Sequence, residues 1–564
     1  MAWQTSRDTN HSIKREIKRI MKKITILLLF SAITATAQDT ITKQTIQQAA
    51  TLMDVKFSEK EIDMMLPDIK DNQGDYKKMH GLALDNSIGM SLSQRLIPDN
   101  TIQQKIQWKY NPTLKIPSNK NELAFYSLNQ LGSLLRNKSI TSVELTNFFL
   151  SRLKKYGDTL QCVISTTESI ALGQAKLADE NFKKGIDKGP LQGIPYGLKD
   201  LFAVKGTKTT WGAQPYKEQV IDQDAYVYTR LKEAGAVLVA KFTLGALAMG
   251  DYWYGGRTKN PWNLERGSSG SSAGSASATV AGLVPFAIGT ETHGSIVSPS
   301  HTCGATGLRP TFGSISRTGA MTLSWSLDKV GPICRSAEDA ATVFSCIHGT
   351  DGKDASAVNA AFNYSPSADV KKLKIAYAKN LFDKLDTSAQ DWKVLQQLKQ
   401  AGINLIGMNF PDSESYQYDM IGIVIGSEAA AAFDAFTRLN IDDQMTRQTR
   451  GDWPNYFRQA RTIPAVEYIN TNRHRVTLME KTIEAMKDFD VVITPTFGGR
   501  QLAITNLTGQ PALCMPTGFT KTGLPTSITF LANHFREEEL LSFGKFFQSI
   551  TSYEEVHPTF FNGN

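Results

Sequence analysis

An unbroken run of small residues, Gly267-Ser268-Ser269-Gly270-Ser271-Ser272-Ala273-Gly274-Ser275-Ala276-Ser277, constrains this chain more than any other segment. Such a composition ordinarily means a flexible linker. Here an apolar stretch over residues 280–288 follows, and then a second small-residue motif, Gly289-Thr290-Glu291-Thr292-His293-Gly294-Ser295. Two motifs of this kind around a buried-looking segment argue for a folded site. Gly270-Ser271-Ser272-Ala273-Gly274 also satisfies G-x-S-x-G, with Ser272 in the nucleophile position. That motif needs a strand immediately before it, and residues 259–266 do not read as one. His348, His474, His534 and His557 stand in no motif that would make them its base.

Around this segment the pattern is one of alternating helix and strand. Residues 46–53 and 58–65 read as helices, with a polar stretch at about 71–78, and Ser58-Glu59-Lys60-Glu61 has the form of a capping box. The stretch at 112–121 looks like a boundary. Thr141-Ser142-Val143-Glu144 is a second capping box, followed by Leu145, Phe148, Phe149, Leu153 and Tyr156 as an apolar stripe. Strands are expected at 193–204, 237–240 and 490–493, with a helix-rich region at 365–487. Alternation on this scale favours an α/β sandwich.

Net charge is +8, from 62 basic and 54 acidic residues, which raises the question of a nucleic-acid surface. Its location answers that question. Residues 1–37 hold seven basic side chains against Asp8 and Glu16, then a short apolar run at 24–33 and Ala35-Thr36-Ala37. These are the three parts of a cleavable secretory signal, with cleavage expected after Ala37 and a secreted or periplasmic destination. The apolar run is shorter than the roughly 20 residues a membrane span needs. Met21-Lys22-Lys23 would itself make an ordinary start for such a signal, so translation is expected to begin at Met21. The charge left after processing is too mild for a dedicated nucleic-acid partner. The five cysteines, Cys162, Cys303, Cys334, Cys346 and Cys514, are odd in number and widely spaced, which suits neither a disulfide framework nor a zinc site.

The two small-residue motifs resemble those of the amidase signature family of serine amidohydrolases, whose hallmark pairs a G-S-S-[GAS]-G-S run with G-T-[DE]-x-x-G-S-I. Gly193-Ile194-Pro195-Tyr196-Gly197-Leu198-Lys199-Asp200 resembles an upstream block of the family. Cys303 to Thr311, Ser326-Leu327-Asp328-Lys329-Val330-Gly331-Pro332 and Thr508-Gly509-Gln510-Pro511-Ala512 resemble downstream ones. Matching blocks run in order over about 141–535.

The resemblance implies an α/β/α fold with a large mixed sheet covered by helices, here with an N-terminal helical appendage. It divides the chain into an upstream extension and signal at 1–37, a helical region at 38–115 and a catalytic domain at 116–564. It implies a Ser-Ser-Lys triad in which Ser295 is the acylated nucleophile, Ser271 the bridging serine on a cis peptide, and Lys199 the base. A lysine of ordinary pKa, about 10.4, is protonated at neutral pH. It becomes a base only where burial disfavours its charge, and Ile194, Leu198, Leu201 and Phe202 around Lys199 suit a strand entering the core. The oxyanion hole would be the N–H groups of Thr292, His293, Gly294 and Ser295. Neither metal nor organic cofactor has a part in this scheme, and the partner is a small-molecule or peptide amide.

Two positions depart from the pattern. His293 stands where many members have Gly, and a pocket-lining or packing role is expected for it. Val297 stands where many have Arg, so recognition of a substrate carboxylate by that Arg is not expected. Trp253, Tyr254, Trp325 and Phe497 are aromatic candidates for the pocket wall, and the short connection at 496–507 suggests an open pocket. Two other functions share these motifs: the glutaminase-type A subunit of an amidotransferase, and an inactive member that only binds.

Overall fold

The protein is described by a computed structural model covering Glu16 and residues 41–82, 96–412 and 415–562. The signal-peptide segment and the Met21 start therefore lie outside the described residues. The chain divides into two compact units, 1–70 and 71–564.

A helix at Lys43–Leu52 is capped by Thr42. The Ser58 box closes at both ends: Ser58 N–H donates to Glu61 Oε2 at 2.6 Å, and Glu61 N–H to Ser58 Oγ at 3.4 Å. The helix it starts runs over Glu59–His80, through Pro67 and the polar stretch, well past the expected end. Ile62, Met65 and Ile69 explain this, since they keep helical spacing across Pro67 and are buried together with Ile46. Their burial offsets the single hydrogen bond a proline cannot donate.

The second unit is built on a mixed sheet of eleven strands. Among the described residues fifteen strands occur, in chain order: β1 Val163–Thr166, β2 Pro195–Lys199, β3 Val237–Phe242, β4 Tyr252–Trp253, β5 Gly256–Arg257, β6 Lys259–Asn260, β7 Asn263–Gly267, β8 Ala287–Glu291, β9 Thr306–Arg309, β10 Lys329–Cys334, β11 Ile375–Ala378, β12 Leu405–Met408, β13 Val491–Pro495, β14 Ala512–Phe519 and β15 Pro525–Leu531. The large sheet has the order β1-β3-β2-β8-β10-β9-β14-β15-β13-β11-β12. β2 pairs parallel with β3 and β8, and β11 with β12 and β13, while the remaining pairings are antiparallel.

Both faces of this sheet are covered. On β3, Val237 and Val239 enter one apolar cluster and Leu238 another, because successive side chains point to opposite faces. A strand buried on both sides reads as a continuous apolar run, as 237–240 does. The helix Ser142–Leu160 carries the expected Thr141–Glu144 box and buries Leu145, Phe149, Leu153 and Tyr156.

Two expectations change. β11 and β12 lie within the region read as helix-rich; at four residues each they are too short to show a clear period. Residues 259–266, read as unsuited to a strand, form the β6–β7 hairpin, with Pro261 in its turn where no ladder hydrogen bond is needed. Among the described residues no helix is long and apolar enough to cross a membrane. All five cysteines are free, and all but Cys346 are buried.

Candidate active site

Three backbone elements converge at the neighbouring strands β2 and β8. β2 ends at Lys199, the Gly/Ser run leads from β7 into the helix Ala273–Val280, and β8 leads through a turn into the helix Val297–Cys303. The need for small residues is now visible. A Cβ on Gly270 would lie 1.9 Å from the Gly250 carbonyl oxygen, and one on Gly274 would lie 2.4 Å from that of Cys162. Gly294, in the turn after β8, has φ +84°, a conformation that favours glycine. The Gly270–Ser271 peptide is cis.

Lys199 is fully buried. Its Nζ donates to Ser271 Oγ and Thr290 Oγ1, both at 2.8 Å, and lies 3.2 Å from Ser272 Oγ. Burial pulls its pKa down to about 7, against the opposing pull of Asp328 and Glu291. Its neighbour Asp200 points elsewhere and pairs with Lys241. Lys199 therefore has hydroxyl partners and no carboxylate in contact.

Ser295 is brought to the same segment by the backbone, since Ser272 N–H donates to the Ser295 carbonyl at 3.1 Å. Among the described residues its hydroxyl makes no hydrogen bond, so the contact between Ser295 and Ser271 that the resemblance implies is not made here. The N–H groups of Thr292, His293, Gly294 and Ser295 likewise meet no protein acceptor among the described residues. A turn of unpaired donors beside a serine hydroxyl suits a developing oxyanion.

This turn is held from behind by a buried carboxylate. Glu291 Oε2 accepts from the N–H groups of Ile296 and Val297 at 2.8 and 2.9 Å. Its Oε1 accepts from Arg309 Nη1 at 3.0 Å and Asn506 Nδ2 at 2.8 Å. Burial alone would raise the Glu291 pKa, but Arg309 and the Val297 N–H outweigh it and hold the carboxyl at about 2. On the other flank, Thr292 Oγ1 donates to Asp328 Oδ1 at 2.6 Å, while Asp328 Oδ2 accepts from Leu323 and Ser324 N–H.

His293 is solvent-exposed beside Ser295. Desolvation lowers the pKa of its ring against the pull of Glu291 and Asp419. No cluster of three or more metal-ligating side chains occurs among the described residues. Of the aromatic candidates, Trp325 is exposed and lines a cavity next to the site, Phe497 is exposed and packs edge-on against His301, and Trp253 packs against Tyr254.

The roles of Thr290, Glu291, Asp328 and Asn506 escaped the sequence. The first three lie inside quoted motifs, but nothing in their spacing says what they touch. Asn506 carries no sequence signal.

The chain is similar to several known proteins. A family model described as Amidase matches residues 144–541. The A subunit of the glutamyl-tRNA(Gln) amidotransferase of Coxiella burnetii (strain Dugway 5J108-111) is 32% identical over 470 residues, covering 75% of this chain and 97% of that protein. The protein of the same name from Marinomonas sp. (strain MWYL1) is 31% identical over 485 residues, covering 78% and 99%. Among solved structures, the native peptide amidase from Stenotrophomonas maltophilia aligns with TM-score 0.68 and 25% identity over 77% of this chain and 98% of that one.

Proposed function

The chain belongs to the amidase family, and on that premise we propose that it hydrolyses a linear carboxamide through an acyl-Ser295 intermediate. The observation that carries this reading is the fully buried Lys199 ammonium 2.8 Å from Ser271 Oγ, with its pKa brought to about 7.

In the proposed reaction Ser295 Oγ attacks the amide carbon as its proton passes to Ser271, whose own proton passes to neutral Lys199. The carbonyl oxygen takes up the negative charge and is met by the N–H donors of the turn. Collapse breaks the C–N bond, and the leaving amine takes a proton back through Ser271. Water then attacks the ester by the same route, releasing the acid and restoring Ser295. Each step uses a group on this chain.

Residues 1–37 support a secreted or periplasmic site of action, with residues 116–564 as the catalytic domain and 38–115 as the helical appendage. A second reading, in which the chain is the glutaminase component of an amidotransferase, draws on the relatives covered over 97% or more of their length.

A fluorophosphonate should label wild type and leave Ser295→Ala unlabelled, with Lys199→Ala slowed. Purified protein should turn over at least one of a peptide amide, an aryl acylamide and a fatty-acyl amide, and the mature N-terminus should read from Gln38. Glutamine turnover alone, in protein retained in the cytosol with its N-terminus intact, would favour the second reading. Labelling that persists in Ser295→Ala would remove the nucleophile assignment.

A further inference from the structure

A cavity of about 610 Å³ adjoins the site. Thr290, which touches Lys199 Nζ, and Thr292, from the donor turn, both belong to its lining, while exposed Trp325 and Lys353 mark where it opens. Its wall carries four cationic side chains, Arg317, Lys329, Lys353 and Arg475, against two carboxylates, Asp328 and Asp354.

Both carboxylates are already engaged. Asp354 holds Arg317 in a two-pronged pair at 2.8 and 3.0 Å. Asp328 accepts from the Thr292 hydroxyl and from two backbone N–H groups. The two most buried cations have no such partner. Lys329, 3% exposed, donates to the Leu327 carbonyl. Arg475, 5% exposed, donates to the Leu507 carbonyl and, at 2.8 Å each, to the hydroxyl and carbonyl of Ser326.

Glu428, which accepts from the same Ser326 hydroxyl, acts on Arg475 without pairing with it. Burying a cation whose direct hydrogen-bond partners are all neutral oxygens is costly, and an incoming anion relieves that cost. Desolvation and nearby Arg309 and Arg475 hold the Lys329 pKa well below that of a free lysine, despite Glu291 and Asp328. A carboxylate beside Lys329 would restore its charge and give a charge-assisted hydrogen bond. Leu201, Met321 and Val330, also in the lining, suit the carbon chain connecting such a group to the amide.

We propose that this cavity is a carboxylate-binding subsite, so that the preferred amide substrates carry an acidic group received by Lys329 and Arg475. This rests on the amidase reading above and names its substrate class. The acid could sit on either side of the scissile bond, and the test has an arm for each. para-Acetamidobenzoate against its methyl ester places the charge on the amine side. Succinyl-para-nitroanilide against its methyl ester places it on the acyl side.

In one arm the processed protein should favour the acid at least about tenfold in kcat/KM, with the ratio falling towards one in Lys329→Met. Lys329→Gln serves as second variant should the first not fold. Calorimetry on Ser295→Ala should show the favoured acid binding at least about tenfold tighter than its ester, an advantage lost when Lys329→Met is added. Equal handling of acid and ester in both arms, in turnover and in binding, overturns the subsite and leaves the amidase reading intact. So does a preference that persists in folded Lys329→Met. Selective binding of the acid without turnover of any amide would instead overturn the amidase reading.

Discussion

Asp200 Oδ1 lies 2.8 Å from Lys241 Nζ, and both side chains are fully buried. Lys199, the last residue of β2, and Asp200, which follows it, point to different partners. Asp200 is further held by the N–H and hydroxyl of Thr210, at 2.8 and 2.6 Å. The adjacent carboxylate is thereby spent on Lys241, and Lys199 is left among hydroxyls, where its charge is poorly supported.

Asp200→Asn should therefore act chiefly on stability. It takes the counter-charge from the buried Lys241 ammonium, whose other partners, the Lys208 carbonyl and Thr209 hydroxyl, are neutral. Removing one member of a buried pair costs about 3–5 kcal/mol. Denaturant unfolding should show a loss of that size, and a change below about 1 kcal/mol would count against the pairing as a stabilising element.

The proposed base predicts a pH profile. Neutral Lys199 is the active form, so kcat/KM should rise with pH through about 7 and level off above it. Lys199→Ala should lower the rate by about a hundredfold to ten-thousandfold. The linkage runs the same way. With its folded pKa below the unfolded value of about 10.4, Lys199 penalises the native state fully below pH 7, and the penalty fades between pH 7 and about 10. The stability of Lys199→Met relative to wild type should accordingly decline over that interval, and a difference independent of pH would contradict the lowered pKa.

Glu291→Gln tests the brace behind the turn. The neutral amide leaves Arg309, fully buried, without its counter-charge, and a destabilisation of about 3–5 kcal/mol follows. With a folded pKa of about 2, below the unfolded value, Glu291 contributes stability above pH 4.5, and this is lost as pH falls towards 2. The acid limb of the wild-type stability curve should flatten in the variant. Labelling at Ser295 should slow as well, because the Ile296 and Val297 N–H groups lose a charged acceptor.

Thr292→Val removes the hydroxyl that donates to Asp328 while keeping the backbone N–H. The turn should loosen without losing a donor, and kcat should fall about tenfold with KM nearly unchanged. A rise in KM at constant kcat would assign Thr292 to ground-state binding.

Much of this was legible in the chain. The blocks around Lys199, Ser271 and Ser295 mark the family, and the apolar run at 237–240 reads as a strand buried on both faces. The helix through Pro67 was missed because burial of Ile62, Met65 and Ile69 is a property of packing, whereas proline is a local stop signal. The strand at Asn263–Gly267 was missed because its ladder partner, at Lys259–Asn260, exists only once the hairpin has closed.

By itself, then, the sequence determined which residue types stand in which order, and with them the family and the central layer of strands. The tertiary structure alone decided what each polar group faces: Asp200 turned to Lys241, Glu291 set behind the turn, and Lys329 and Arg475 in a cavity wall with no carboxylate paired to them. Motif spacing records distance along the chain, while the pKa of Lys199 depends on which charges and how much water lie within a few ångströms of it, and only folding sets that distance.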